Sequence, residues 1–506
     1  MRSTSQEHIR WSALSAPLVR TSLWLLGFAL IGIWLADLEI RSIDPWTELG
    51  RFGSGLIQPD FGTLDTAFVA LLRTLAFAFT GVGVAAIFGM GLALVFHYRV
   101  VRIFCAILRA IHELFWALIF LQFFGLHPIT GVLAIALPYA ATFARVYSEI
   151  LEEGDRGAER ALPANSSIIS RFWYVRVPDL WVHLLSYTSY RFECGMRSSA
   201  VLGFVGMPTL GFYLESSYAE GQYSEVGMIL LIFLLTIGSL RLWLRPRLVV
   251  PYLLVAPFFL GTGLPIVWGN ATRFFTEDII PAPLRNSEGI AGLWPWLGDL
   301  LWYQALPGIG ITLLLTQIAL AGTGIIALLS FPLISRLFFS RFNQVTGHAL
   351  LVIGRSVPEY LLAYILLQLW GPSMLPAVVA LAIHNGAIIG HLIGRQSNTL
   401  ILRPDVVSGF DCYTHEAVPR LYRSFLAFLL YRWEIIMRET AILGILGITT
   451  LGFYVDSAIQ ELRFDRALVL ILITALLNIF VDSLARTIRR QLRLRTTPTA
   501  QTPAQP

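Results

Sequence analysis

The chain has 506 residues, is 56% hydrophobic and only 14% charged, and carries a formal charge of +5. Soluble domains carry about 25% charged residues, so this composition argues against a water-soluble enzyme and for a surface that faces lipid. Every one of the 37 basic residues is Arg, and the three cysteines, Cys105, Cys194 and Cys412, are too few and too widely spaced for a disulfide framework or a zinc site.

A helix needs about 20 mainly apolar residues to cross a bilayer. Such runs lie near 18–38, 66–96, 100–124, 128–150, 181–207 and 224–244, and again near 249–268, 304–334, 346–370, 373–397, 421–448 and 466–486. The expectation is an all-α polytopic membrane protein with about twelve spans, the fifth and eleventh being the least apolar. Arg2, Arg10 and Arg20 precede or open the first run, as in a signal peptide, but no small-x-small cleavage site follows. It is expected to stay as the first span.

Arginine placement gives an orientation. With the N-terminus inside, the outer loops hold only Arg41, Arg51, Arg273, Arg285, Arg463 and Arg466. Cytoplasmic loops carry the basic excess in membrane proteins. Both termini are therefore expected in the cytoplasm of a bacterial inner membrane. The basic excess is an orientation signal, so no nucleic-acid partner is expected.

Spans three and nine carry Arg109 with Glu113 and Arg355 with Glu359. Four residues apart on a continuous helix, each pair would share a face. His112 and His384 are single histidines with no ligand partners in the sequence, so no metal site and no cofactor are expected.

The loop after span four is long. It reads Glu159-Arg-Ala161-Leu-Pro-Ala-Asn165, then runs to Val175-Arg-Val-Pro178. Span five follows with Arg191, Glu193 and Arg197. Its end repeats: residues 190–216 align without gaps to 431–457 at an offset of 241, with 15 of 27 positions identical. The shared set includes Arg197/Arg438, Gly203/Gly444, Gly206/Gly447 and Thr209-Leu-Gly-Phe-Tyr213/Thr450-Leu-Gly-Phe-Tyr454. Upstream, Arg109, Glu113 and Gln122 match Arg355, Glu359 and Gln368 at an offset of 246. Each repeat holds an even number of spans, so the two run parallel rather than inverted. The expected halves are 1–247, with a coupling loop at 151–180, and 248–490, with a shortened loop at 395–420. Residues 491–506 are expected to form a disordered cytoplasmic tail.

The loop 159–178 resembles the Glu-x-Ala-x-x-x-Gly signature of binding-protein-dependent ABC importer permeases, with Asn165 in place of the Gly. In the second half only Gly409, Glu416 and Val418-Pro419 remain suggestive. The segments around Arg109–Glu113, Arg355–Glu359 and Tyr190-Arg191-Phe-Glu193 resemble the phosphonate-importer permeases, two units of which look fused here. That resemblance implies a type-I importer (MetI-like) fold, two separate ATPase subunits and an external substrate-binding protein. The chain has no Gly-x-x-x-x-Gly-Lys-Ser/Thr loop and no Lys to complete one, so it is not expected to be an enzyme.

Ionisable groups inside a membrane are costly and are functional suspects. Arg191, Glu193, Arg197 and Arg432, Glu434, Arg438 are therefore the expected substrate path. Glu193–Arg197 and Glu434–Arg438 are spaced for structural ion pairs. Arg191 and Arg432 lack an acid four residues on, so they are the stronger anion ligands, since guanidinium matches oxyanion geometry. A small phosphorus oxyanion (phosphonate, then phosphite or phosphate) is the expected substrate. The alternative is an ion-gradient-driven transporter, which can also be built from parallel six-span halves.

Overall fold

The computed structural model describes residues 17–153, 166–286, 289–402 and 409–494. Every regular element among them is helical. The chain packs as two compact units. One comprises Met1–Pro45, Leu297–Ser457 and Leu477–Pro506, the other Trp46–Trp296 and Ala458–Leu476. Among the described residues, six helices are long and apolar enough to cross a membrane, or eight if two sharply bent pairs each count as one.

In the second of these units the central helices are α1 (Leu64–Leu94), α2 (Arg99–Ala110), α3 (Glu113–Phe124), α4 (Pro128–Glu153) and α5 (Val177–Val201). Helix α1 packs along α4, and α5 packs on α1. Small residues let these backbones approach, which is how helices associate where lipid removes the hydrophobic drive. At Gly89 a Cβ would lie 2.4 Å from the Phe143 Cβ.

The other unit repeats the plan with α6 (Leu306–Ser330), α7 (Arg341–Ser356), α8 (Glu359–Trp370), α9 (Leu375–Ser397) and α10 (Val418–Leu443). Helix α6 packs along α9 and against α10. The N-terminal helix Pro17–Leu35 also joins this unit, where Gln317 donates to the Leu25 carbonyl at 2.9 Å. Leu492 and Leu494, after the final helix Phe464–Gln491, pack on the same core.

Spans three and nine are not continuous helices. The axes of α2 and α3 meet at 90°, and those of α7 and α8 at 89°. Proline explains the second break: Pro358 cannot donate to the helix, and Val357 before it is extended at ψ 120°. The first break has no proline. There Ile111 is extended at ψ 130°, and His112 caps α3 by accepting from the Leu114 N–H at 3.1 Å. The continuous helix expected for spans three and nine is corrected accordingly: Arg109 and Arg355 lie in the last turn of one helix, and Glu113 and Glu359 begin the next.

Helices α5 and α10 end in the same turn. Gly206 and Gly447 each take φ +86°, a left-handed conformation that glycine adopts without strain. A short helix then follows, Leu210–Ala219 in one unit and Leu451–Gln460 in the other. Its first N–H is held by a buried threonine, Leu210 by Thr74 at 2.9 Å and Leu451 by Thr312 at 3.0 Å.

Candidate functional site

Helix α5 places Arg191 and Ser198 seven residues apart, two turns along one face. Tyr139 on α4 bridges them. The Arg191 guanidinium lies 5.0 Å from the Tyr139 ring centroid and 5.5 Å from that of Tyr187. Its Nε also donates to the Tyr187 hydroxyl at 2.9 Å. At its other end, the Tyr139 hydroxyl is 2.9 Å from Ser198 Oγ. Ser198 in turn donates to Glu113 Oε1 at 2.6 Å. Among the described residues, Arg191 is thus held by aromatic faces and a phenol rather than by a carboxylate. A cation over aromatic faces gains electrostatic stabilisation without losing its charge to an ion pair.

The other unit builds the equivalent group from different chemistry. Arg432 and Glu439 on α10 stand at the 241 offset from Arg191 and Ser198, and Asn385 on α9 stands at the 246 offset from Tyr139. Asn385 again bridges. Arg432 donates to its Oδ1 at 3.3 Å, and its Nδ2 donates to Glu439 Oε2 at 3.1 Å. Arginine can only donate, so the carbonyl of Asn385 must face Arg432 and its amide must face Glu439. Asn385 is fully buried and Glu439 is 8% exposed.

A histidine accompanies the shared acid in both units. His112 Nε2 is 3.6 Å from Glu113, and His384 Nε2 is 3.4 Å from Glu359. The two histidines do not occupy equivalent positions. At the 246 offset, His112 matches Pro358 and His384 matches Pro138. His and Pro have exchanged places between the helix break and the middle of span four, yet each unit keeps its His–Glu contact. Reading the sequence span by span missed this exchange, along with Tyr139, Ser198, Asn385 and Glu439. The 246 offset carried through span four was the signal that would have found them.

The remaining expected residues fall as follows. Arg197 donates to the Cys194 sulfur at 3.8 Å. Glu193, Glu434 and Arg438 are partly buried on the same helices. Glu159, Ala161 and Asn165 lie outside the described residues. Pro178 and Pro419 occupy matching places in the first turn of α5 and α10, each after a short π-helical turn, Phe172–Arg176 and Cys412–Ala417. Trp173 and Tyr174 are exposed on the first of these turns. On the second, Tyr413 turns inward, stacks on Phe331 with centroids 5.5 Å apart, and donates to the Leu328 carbonyl at 3.1 Å. Glu416 is buried in an ion pair with Arg420, which also donates to the Ile401 carbonyl at 2.8 Å. Gly409 takes φ +83° just before this turn.

No family model and no solved structure matches the chain. Curated proteins do. The phosphate-import permease protein PhnE of Mycolicibacterium smegmatis (strain ATCC 700084 / mc(2)155) is 26% identical over 422 residues, covering 78% of this chain and 77% of that protein. The phosphite transport system permease protein PtxC of Stutzerimonas stutzeri is 26% identical over 222 residues, covering 42% of this chain and 81% of its own length. The cryptic phosphonate transport system permease protein PhnE2 of Escherichia coli (strain K12) is 30% identical over 111 residues, which is 22% of this chain and 84% of that protein. One relative thus aligns along most of both chains, and two fit within part of this one, as expected of a double-length chain with an internal repeat. With its apolar helices and its internal repeat, the chain belongs to the family of phosphonate transport system permeases.

Proposed function

We propose that this chain is the membrane permease of an ATP-driven importer for a small phosphorus oxyanion: phosphonate, phosphite or phosphate. The carrying observation is the repeated Arg191 and Arg432, each bridged by a residue of the neighbouring helix. A guanidinium presents paired donors that match oxyanion geometry. Holding it on neutral rings or an amide leaves its charge available to an incoming anion. The relatives named for phosphate, phosphite and phosphonate transport support the same substrate class.

In this reading the chain carries twelve spans of a type-I importer fold, divided as 1–247 and 248–490. The polar helices Val177–Val201 and Val418–Leu443 are the fifth and eleventh. Two ATPase subunits bind the cytoplasmic turns before Pro178 and Pro419, and an external binding protein delivers substrate. Alternating access then moves the anion inward. The chain has no nucleotide-binding loop of its own, so hydrolysis belongs to the partner. ATP-dependent uptake of phosphite or methylphosphonate by the reconstituted complex tests this reading.

A further inference from the structure

We propose that helix α2 lies on the membrane surface and binds an anionic phospholipid, its headgroup on Arg99 and Arg102 and its acyl chains on Val100, Ile103 and Phe104. At about 100° per residue the helix has three sides. Cys105 and Leu108 form a buried side that packs on Ala141 and Ala144 of α4. Arg99, Arg102 and Arg109 line the second side. Val100, Ile103 and Phe104 form the third and are exposed. The axis of α3 stands at 90° to that of α2, and α3 packs on α4, which is long and apolar enough to cross a membrane. With α3 directed into the bilayer, α2 runs along its surface. A basic side next to an apolar side is how a helix settles at the boundary between headgroups and acyl chains.

Arg99 and Arg102 stand about one turn apart, so both can reach one phosphate. Both are exposed, and among the described residues neither guanidinium is held by a hydrogen bond or an ion pair. No Asp or Glu lies between Asp65 and Glu113, and on α4 Arg145 is paired with Glu149 at 3.0 Å. This side of α2 is therefore positive and suits an anion. The apolar side beside it favours a lipid over free phosphate, which has no chain to bury. The other unit supplies an internal comparison. Helix α7 meets α8 at 89°, buries Leu351 with Ile334 and Ala387, and exposes Val345, Leu350 and Ile353. At the 246 offset, Val345 and His348 stand where α2 has Arg99 and Arg102. The arginines of α7, Arg341 and Arg355, lie at its two ends, about 21 Å apart along the axis. Both units thus share the surface helix, and α2 adds the close arginine pair.

The test uses the purified chain with its ATPase subunits in proteoliposomes of equal parts phosphatidylglycerol and phosphatidylcholine. A photoreactive benzoylphenylalanine takes the place of Phe104, or of the matching Leu350, and mass spectrometry identifies what each captures. Position 104 is expected to capture phosphatidylglycerol over phosphatidylcholine by about fivefold, the size of one arginine at an anionic surface. Position 350 should show less than about a twofold preference. Arg99→Gln with Arg102→Gln should bring position 104 down to the ratio at 350, whereas Arg99→Lys with Arg102→Lys should keep the preference, because a headgroup phosphate also accepts a point charge. The proposal is overturned if position 104 prefers phosphatidylglycerol no more than position 350 does, if the Gln pair leaves the ratio unchanged, if the Lys pair loses it as the Gln pair does, or if position 104 captures protein instead of lipid. The comparison of 104 with 350 needs no arginine variant to fold, and the readout does not depend on which substrate the chain transports.

Discussion

The guanidinium of Arg191 lies 5.0 Å from the ring centroid of Tyr139 and 5.5 Å from that of Tyr187. The ring therefore positions the charge. Tyr139→Leu should loosen it, costing about 0.5–2 kcal/mol of cation–π stabilisation and lowering uptake several-fold. Tyr139→Phe keeps the ring and loses only the hydroxyl shared with Ser198, so its effect should be smaller. Arg191→Gln and Arg432→Gln should each reduce uptake strongly while the complex still assembles. Normal uptake in both arginine variants would make these residues structural.

The turn after α5 and α10 makes a second prediction. A Cβ on Gly203 would lie 2.1 Å from the Phe212 backbone nitrogen, and one on Gly444 would lie 2.1 Å from that of Phe453. Backbone cannot yield as a side chain can. Gly203→Ala and Gly444→Ala should each cost at least about 1–3 kcal/mol, the usual range for overpacking. Gly91→Ala faces open space and should be neutral or slightly stabilising. Thermal unfolding of the detergent-solubilised protein measures all three. Equal midpoints for Gly203→Ala and Gly91→Ala would contradict the close approach.

The two turns before Pro178 and Pro419 should differ in what they tolerate. Tyr174 is 82% exposed, whereas Tyr413 is stacked and hydrogen-bonded inside its unit. Tyr174→Ser should weaken substrate-stimulated ATP hydrolysis and leave the melting temperature unchanged. Tyr413→Ser should lower the melting temperature. Glu159→Arg should act as Tyr174→Ser does, by damaging coupling more than folding. Charge reversal at Glu416 should destabilise, because it breaks a buried ion pair with Arg420. The contrast fails if Tyr174→Ser and Tyr413→Ser lose stability equally.

Stoichiometry supplies a fourth prediction. On the proposed reading, one copy of this chain, as two fused permease units, binds two ATPase subunits. Native mass of the purified complex should show that ratio, and two copies of this chain would contradict it.

The repeat was legible because residues 190–216 and 431–457 align without a gap. That alignment located Arg191 and Arg432 and the turn glycines, while Pro178 and Pro419 came from the loop signature. The right-angle breaks were not legible. Hydropathy sums side chains and is blind to a change of ψ at Ile111 or Val357. Pro358 marked one break, but the other depends on a His112 cap that has no sequence pattern of its own. The bridging residues were hidden for a related reason. Tyr139 and Asn385, and Ser198 and Glu439, hold equivalent places with unlike chemistry, so identity between the halves passes over them.

The most direct measurement is uptake into proteoliposomes holding this chain with its ATPase subunits, with binding protein supplied outside. Phosphite or methylphosphonate should accumulate only with ATP, in the absence of any ion gradient, and Arg191→Gln with Arg432→Gln should abolish it. Accumulation driven by a proton or sodium gradient without ATP would contradict the account, as would no uptake of any phosphorus oxyanion.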